Sequence, residues 1–449
     1  MNTFARKRHK KARQKKFQVL SSAIILLIFI SFGVWSFCDQ DQEISVLEKR
    51  TLAQQPAFSL AALFSGEYTR GYETYYADNF PQRDRLINLS SVLNYLHYFD
   101  FGQNTVIVDR RNEGGGESLA PPEEPNAAEP ETSLPESIPP NDDELIQTGS
   151  ILLIGDRAME APYTAPSQVT HYAATISRTQ QLLPDCRTIS LIIPNAAEFY
   201  SPEKFHTGSY AQKDMITSAY AQMDDPVFTI DAYTALRKTI DQYIYFRTDH
   251  HWTALGAYQA YLAYCASLGF APVPLEAFQT GVYENFVGSM YGWTSNLPQA
   301  KKLLEHPDTV QYYVPIAECT AAYYFSPAMT APYPIPVVDT ELFETSNKYL
   351  CFIRGDTPLC QIITNNTTGR KCIVIKESYG NAFVPFLTSH YDEVYVVDPR
   401  LFNCTEHPTR FNLPEFVRQQ GINDIVYINY AFIPNNESFI RMLDKLLGQ

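Results

Sequence analysis

From Ser150 onward, short apolar runs alternate with helical patterns, and this rhythm limits the possible folds more than any other feature of the chain. The runs are SILLIG (150–155), TISLIIP (188–194), PVFTID (226–231), YIYFRTD (243–249), KCIVIKES (371–378), EVYVVD (393–398) and DIVYIN (424–429). Between them stand SYAQKDMITSAYAQM (209–223), TALGAYQAYLAYCASLG (253–269), a helical stretch through Phe386, and FNLPEFVRQQG (411–421). Strands separated by helices build mostly parallel sheets, so the expected class is α/β, three-layered, with helices on both faces. A part richer in strands and loops is expected from about 280 to 365. At 449 residues and 45% hydrophobic, the chain can bury a large core.

The amino terminus sets a second limit. Residues 1–16 carry eight Lys/Arg and no acid, and 17–38 form a run of 22 residues without a charge. As a helix, that run crosses a hydrocarbon core of about 30 Å. The basic tail on one side and Asp39, Asp41 and Glu43 on the other place the tail in the cytoplasm and everything after Asp39 outside, on the cell membrane. A cleaved signal peptide would have a shorter apolar core and small residues where Trp35, Phe37 and Cys38 stand. A lipid anchor on Cys38 would also need small residues before it. The expectation is an uncleaved single-pass anchor over 17–38.

The formal charge is −14; because the tail alone holds +8, the other 433 residues carry −22. Such an acidic body has no electrostatic reason to hold nucleic acid. Residues 112–148 contain ten acids, seven prolines, no base and no aromatic, the composition of a disordered insert within one extracytoplasmic domain spanning 39–449. On its two sides TVIVDR (105–110) and SILLIG read as strands, so the insert replaces a hairpin loop. Eight cysteines include no Cys-x-x-Cys pair and no histidine at zinc spacing. A disulfide among Cys351, Cys360 and Cys372 is open from sequence alone.

Two clusters can carry chemistry. Arg247-Thr248-Asp249-His250-His251-Trp252-Thr253 stands where a strand gives way to a helix. On extended backbone, Asp249 and His251 share a side and His250 points away, so the carboxylate can fix the tautomer of a general base. The plain alternative is that Thr248 or Asp249 caps the helix and the histidines pack. Lys376-Glu377-Ser378-Tyr379-Gly380-Asn381 also follows an apolar strand, where a serine hydroxyl is exposed beside free backbone N–H groups. It lacks the Gly-x-Ser-x-Gly elbow, and by itself such a serine is an N-cap. Together the clusters supply Asp, His and Ser, each at a strand end.

The run Thr248 to Thr253 resembles the hallmark of the bacterial DHHW protein family, which is similar to the SGNH-hydrolase-like alginate O-acetyltransferases. Tyr75-Tyr76-Ala77-Asp78-Asn79-Phe80-Pro81-Gln82-Arg83-Asp84 resembles the family's segment after the anchor. Lys376 to Leu387 with Val397-Asp398-Pro399-Arg400 resembles its serine block. The resemblance extends over most of 45–445 outside the insert. It implies an SGNH-like fold, Asp249 as orienting acid, His251 as base, Ser378 as nucleophile, no cofactor, and acyl groups moved onto an exported polysaccharide. A multi-pass membrane acyltransferase is the implied partner and acyl donor. The relatives carry Gly-Asp before the serine where this chain has Glu377, a carboxylate unhelpful to an oxyanion unless turned away.

For oxyanion support the sequence nominates Tyr379, Asn381 and Asn195. For sugar contact it offers Trp252, Tyr291 and Trp293, the last two in a Gly-containing loop with Tyr283 and Phe286, although core packing accounts for any one aromatic. The Asp-His-His run also calls to mind two-metal phosphoesterases, but those sites need a further aspartate motif from other strand ends, and neither 188–195 nor 229–231 carries one, so no metal is expected. The expected function is an O-acetyltransferase or esterase on a cell-surface polysaccharide. The rival is a non-catalytic module of the same fold for glycan binding or envelope assembly.

Overall fold

In the computed structural model the described residues are scattered positions from 44 to 80, then 145–402 apart from 149, 162–163, 166–168, 296 and 343–346, and 411–448. The apolar run 17–38, the strand expected at 105–110 and positions 112–144 of the insert lie outside them. No helix among the described residues is long and apolar enough to cross a membrane. The chain divides after Leu119 into two units. Among the described residues of the first, β1 (Ile44–Ser45) pairs antiparallel with β2 (Arg50–Thr51) and a helix, α1, covers Glu67–Asp78.

The second unit is a mixed α/β fold. In chain order it contains β3 (Leu145–Thr148), β4 (Ile151–Ile154), β5 (Arg157–Glu160), α2 (Thr170–Leu182), β6 (Arg187–Ile193), α3 (Gln212–Ala221), β7 (Phe228–Thr229), α4 (Ala232–Arg237) and α5 (Ala254–Leu268). Then come β8 (Gln279–Phe286), α6 (Ser289–Thr294), β9 (Asp308–Val314), β10 (Cys319–Tyr324), β11 (Tyr333–Pro334), β12 (Leu359–Thr364) and β13 (Lys371–Lys376). The chain closes with β14 (Glu393–Val397), α7 (Leu413–Gln420), β15 (Asp424–Tyr430) and α8 (Glu437–Leu446).

The main sheet has the order β11-β10-β12-β14-β13-β15-β6-β7. Its β14-β13-β15-β6-β7 part is parallel, and β12, β10 and β11 extend it antiparallel. β13 and β15 sit in the middle and read as continuous apolar runs because both their faces are covered: Ile373, Val374, Ile375, Ile425, Val426 and Ile428 are all fully buried. α2 and α5 bring Tyr172, Ile176, Tyr261 and Tyr264 into the same core.

Four expectations change. The insert ends earlier than composition implied, since Leu145–Thr148 pair with Ile151–Ile154 and the hairpin there is local. YIYFRTD is not a strand: it contributes one bridge, Tyr245 with Trp252, and otherwise bends. Tyr283 and Phe286 belong to β8, paired with β9, rather than to a loop. Cys351, Cys360 and Cys372 are buried free thiols, as Cys265 is, while Cys186 and Cys319 are partly exposed free thiols.

Candidate active site

Parallel pairing places three segments together at the carboxyl ends of central strands. The register sets Lys376 beside Ile428 and Ile193 beside Tyr430, so Asn195, Tyr430 and Ser378 emerge together where β6, β15 and β13 end. Ser378 opens a short 3₁₀ turn, Ser378–Ala382, immediately after β13. Glu377 holds this turn: one carboxylate oxygen accepts the Tyr379 N–H at 2.9 Å and the other the Tyr430 N–H at 3.0 Å, tying the turn to β15. Beneath it, Gly380 passes so close to Lys376 that an added Cβ would lie 2.6 Å from the lysine Cβ. Lys376, buried, reaches Asp356 at 2.6 Å, and Asp356 also takes Asn381 Nδ2 at 3.2 Å and Arg400 at 2.7 Å. Burial opposes the Asp356 charge, but the Lys376 and Arg400 cations hold its carboxyl far below the usual range.

Asp249 and His251 come from the bend between Tyr245 and Trp252, just before α5, whose N-cap is Thr253. A side chain shapes this bend in place of a strand partner. Asp308, wholly buried at the start of β9, accepts the N–H of Arg247 at 2.9 Å, the N–H of Thr248 at 2.7 Å and the Thr248 hydroxyl at 2.6 Å. With those groups satisfied locally, the segment has no need of a ladder. Gly288 then lies against Asp249, where a Cβ would come within 2.2 Å of the aspartate Cβ.

The result is a continuous hydrogen-bonded chain. His251 Nδ1 stands 2.6 Å from Asp249 Oδ1, and His251 Nε2 stands 2.8 Å from Ser378 Oγ. Asp249 receives three more donors, the His251 N–H at 3.0 Å and the Ser289 N–H and hydroxyl at 2.9 and 3.0 Å. Burial disfavours its charge, yet the two histidines and these bonds keep it ionised, well below the ordinary carboxylate range. An ionised carboxylate only accepts, so the imidazole hydrogen lies on Nδ1 and the Nε2 lone pair faces the serine hydroxyl. His250 does not face Ser378. Its Nδ1 meets Ser289 Oγ at 2.6 Å, and burial, then His251, pushes its pKa down to about 4, leaving it neutral at pH 7.

The site's rings form a column. Trp293 stacks on His250 at 5.2 Å, His250 lies 3.8 Å from His251, and Tyr349 stacks on the other face of His251 at 4.0 Å with an interplanar angle of 12°. Trp293 is 49% exposed, at the outer end. Tyr291 is half-buried against Leu153, Ala158, Met290 and Leu303. Trp252 belongs to the core, fully buried with its indole N–H on the Tyr379 carbonyl at 2.9 Å, and presents no surface to a substrate.

The nominated oxyanion donors have other partners. The Tyr379 N–H goes to Glu377 and its hydroxyl donates to the His250 carbonyl. Asn381 Nδ2 goes to Asp356, and Asn195 Nδ2 donates to the Glu160 carbonyl at 2.9 Å while its Oδ1 accepts from Ala197 and Gln212. Glu377 itself, turned to two backbone N–H groups, still has Oε2 3.5 Å from Ser378 Oγ, and burial raises its pKa to about 7. Sequence reasoning missed Glu160. Its carboxyl sits within electrostatic reach of His250, Asp249 and Glu377, burial raises its pKa, and Oε2 is buried with no partner among the described residues. Asp249, His250 and His251 also bring possible metal-ligand atoms within 4.8 Å of one another. A cation there would have to break the Asp249–His251–Ser378 chain to reach them.

A crystal structure of a DHHW family protein from Eubacterium siraeum is similar to this one, with TM-score 0.59 and 28% identity over 70% of this chain and 99% of that one. Bacillus cereus PatB1 shares the fold at 17% identity, with TM-score 0.51 over 66% of this chain and 98% of that one, and TM-score 0.50 in its form with a sulfonyl adduct. No curated protein matches. The DHHW protein family profile matches residues 118–397, more than half of the chain and the part that holds Asp249, His251 and Ser378. The chain belongs to the DHHW protein family.

Proposed function

We propose that the protein is an O-acyl transferase or esterase whose nucleophile is Ser378, and the observation that carries this reading is the unbroken chain from Asp249 through His251 to Ser378. His251 Nε2 takes the hydroxyl proton as Ser378 Oγ attacks the acyl carbonyl carbon. The bond from that carbon to the donor's leaving group then breaks, and His251 returns the proton to the leaving group. In the second half a sugar hydroxyl, or water in an esterase, gives its proton to His251 and attacks the acyl-serine. The C–O bond to Ser378 breaks and the serine recovers its proton. Asp249 stabilises the imidazolium in both halves.

The finer reading is a three-layer SGNH-like domain, held outside the cell membrane by the apolar run 17–38. It modifies a cell-surface polysaccharide with acetyl groups supplied by a multi-pass membrane acyltransferase. Trp293 supports the sugar assignment, because its exposed indole, backed by His250, is a surface on which a pyranose can stack. The rival reading, a non-catalytic module, draws on the engaged oxyanion donors and on Glu377 beside the serine.

The test is release of p-nitrophenol from p-nitrophenyl acetate together with labelling by a sulfonyl fluoride. Wild type is expected to turn over and to carry the sulfonyl group on Ser378. Ser378→Ala and His251→Ala should each cost several orders of magnitude, the double variant being hardly worse than either. A wild type that forms no acyl-Ser378 with any acyl donor gives the binding module the better claim. Full activity in Ser378→Ala moves the nucleophile elsewhere.

A further inference from the structure

Tyr349 lies in a short 3₁₀ turn, Lys348–Cys351, in a stretch the sequence offered no reason to connect with the site. Its ring covers one face of the His251 imidazole at 4.0 Å, nearly parallel, and its hydroxyl donates to the backbone carbonyl of Ser378 at 3.1 Å. One side chain therefore touches both groups whose 2.8 Å contact the proposed chemistry needs. The ring is itself held by buried Phe352 at 5.3 Å and Phe246 at 6.2 Å, and Tyr349 is only 4% exposed.

The backbone around it is arranged at a cost. Asp339 N–H bonds to the Cys351 carbonyl at 2.8 Å and Ile353 N–H to the Val337 carbonyl at 2.9 Å, fixing the chain where it leaves the turn. Immediately afterwards Ile353 and Arg354 adopt φ of +43° and +56°, a region that disfavours a β-branched residue above all. Such conformations persist where surrounding contacts over-determine them, and here those contacts deliver the Tyr349 ring to His251.

We propose that Tyr349 is a positioning residue for the Ser378–His251 pair: its ring fixes the imidazole plane and stabilises the imidazolium formed when the serine proton arrives, and its hydroxyl pins the nucleophile's backbone. The inference rests on the serine-nucleophile reading. Burial keeps the hydroxyl protonated by pushing its pKa well above the ordinary tyrosine value, so the ring over His251 stays a neutral aromatic face. Such a face attracts a desolvated cation, and the other face of His251 meets the neutral ring of His250.

Two variants separate the two contacts. Tyr349→Phe keeps the stack and loses the bond to the Ser378 carbonyl. Its kcat should fall several-fold, with KM and the acidic limb of the pH–rate profile in place. Tyr349→Leu loses the stack, so the imidazolium is less stabilised; the acidic limb should move to lower pH and kcat fall at least ~10-fold with KM unchanged. A readout that needs no turnover is the low-field proton resonance of His251 Nδ1–H, expected in wild type and in Tyr349→Phe and shifted or broadened in Tyr349→Leu. Folded variants with wild-type kcat, pH profile and resonance would overturn the proposal. If Tyr349→Leu does not fold, Tyr349→Phe decides it, since it differs by one oxygen. If wild type is inert toward every ester and sulfonyl fluoride, the function fails while the resonance still decides whether Tyr349 orders the imidazole.

Discussion

Glu160 is the residue whose chemistry fits its surroundings least well for stability. A buried carboxyl oxygen without a partner costs free energy, and natural proteins keep such groups chiefly where function uses them. Here the group lies beside Asp249, whose charge opposes its own ionisation. Replacing it by an apolar side chain of similar volume should therefore stabilise the protein and damage the site. Glu160→Met is expected to raise the melting temperature by a few degrees and to lower p-nitrophenyl acetate turnover at least ~10-fold. A melting temperature that falls, with turnover unchanged, would mean that Glu160 is an ordinary structural residue. Gly288 makes the opposite point. Its φ of −87° suits any residue, so Gly288→Ala acts only through the methyl forced against Asp249. Turnover should fall more steeply than stability, measured by turnover and melting on the same preparation.

At the scale of elements, the bend carrying Asp249 and His251 depends on a carboxylate from β9. Removing Asp308 leaves the Arg247 and Thr248 N–H groups without an acceptor and the Thr248 hydroxyl with only the Phe286 carbonyl at 3.3 Å, a loss of about 3–5 kcal/mol. Asp308→Ala should abolish turnover without touching the reacting groups, and thermal melting should register the loss. Wild-type turnover in that variant would show that β9 does not shape the bend. This dependence explains what could be read beforehand. Asp249, His251 and Ser378 were legible because each stands in a local pattern, a strand or bend followed at once by a helix. Asp308 was not, because its partners lie 60 residues earlier in the chain and nothing local marks an aspartate opening a strand. The same cause accounts for the absence of the strand expected at 243–249: its apolar alternation is real, but a side chain satisfies its backbone. Tyr349 was invisible for a similar reason, since its two contacts are set by a fold excursion rather than by spacing. The parallel strands β6, β13, β14 and β15 are legible nearly to the residue, because burial on both faces writes an unbroken apolar run.

For the molecule as a whole, the second unit stores several acids in places that favour their neutral form. Burial raises both Glu377, near the serine, and Glu198, hydrogen-bonded to Tyr233 and Gln212, to about 7 from an ordinary 4.5. A group raised in this way gives stability that is fully present below the unfolded value and lost as pH rises through the folded one, so the window runs from about 4.5 to about 7. Each is worth on the order of 3 kcal/mol across it. The purified protein should therefore melt at a higher temperature near pH 5 than near pH 8, and the difference should shrink in Glu198→Gln/Glu377→Gln. The slope is the readout, because the amides also cost something constant where they meet backbone N–H groups. A double variant whose melting temperature depends on pH as wild type does would mean that neither carboxyl is neutral in the folded protein, and that the carboxylate 3.5 Å from Ser378 Oγ is a permanent charge.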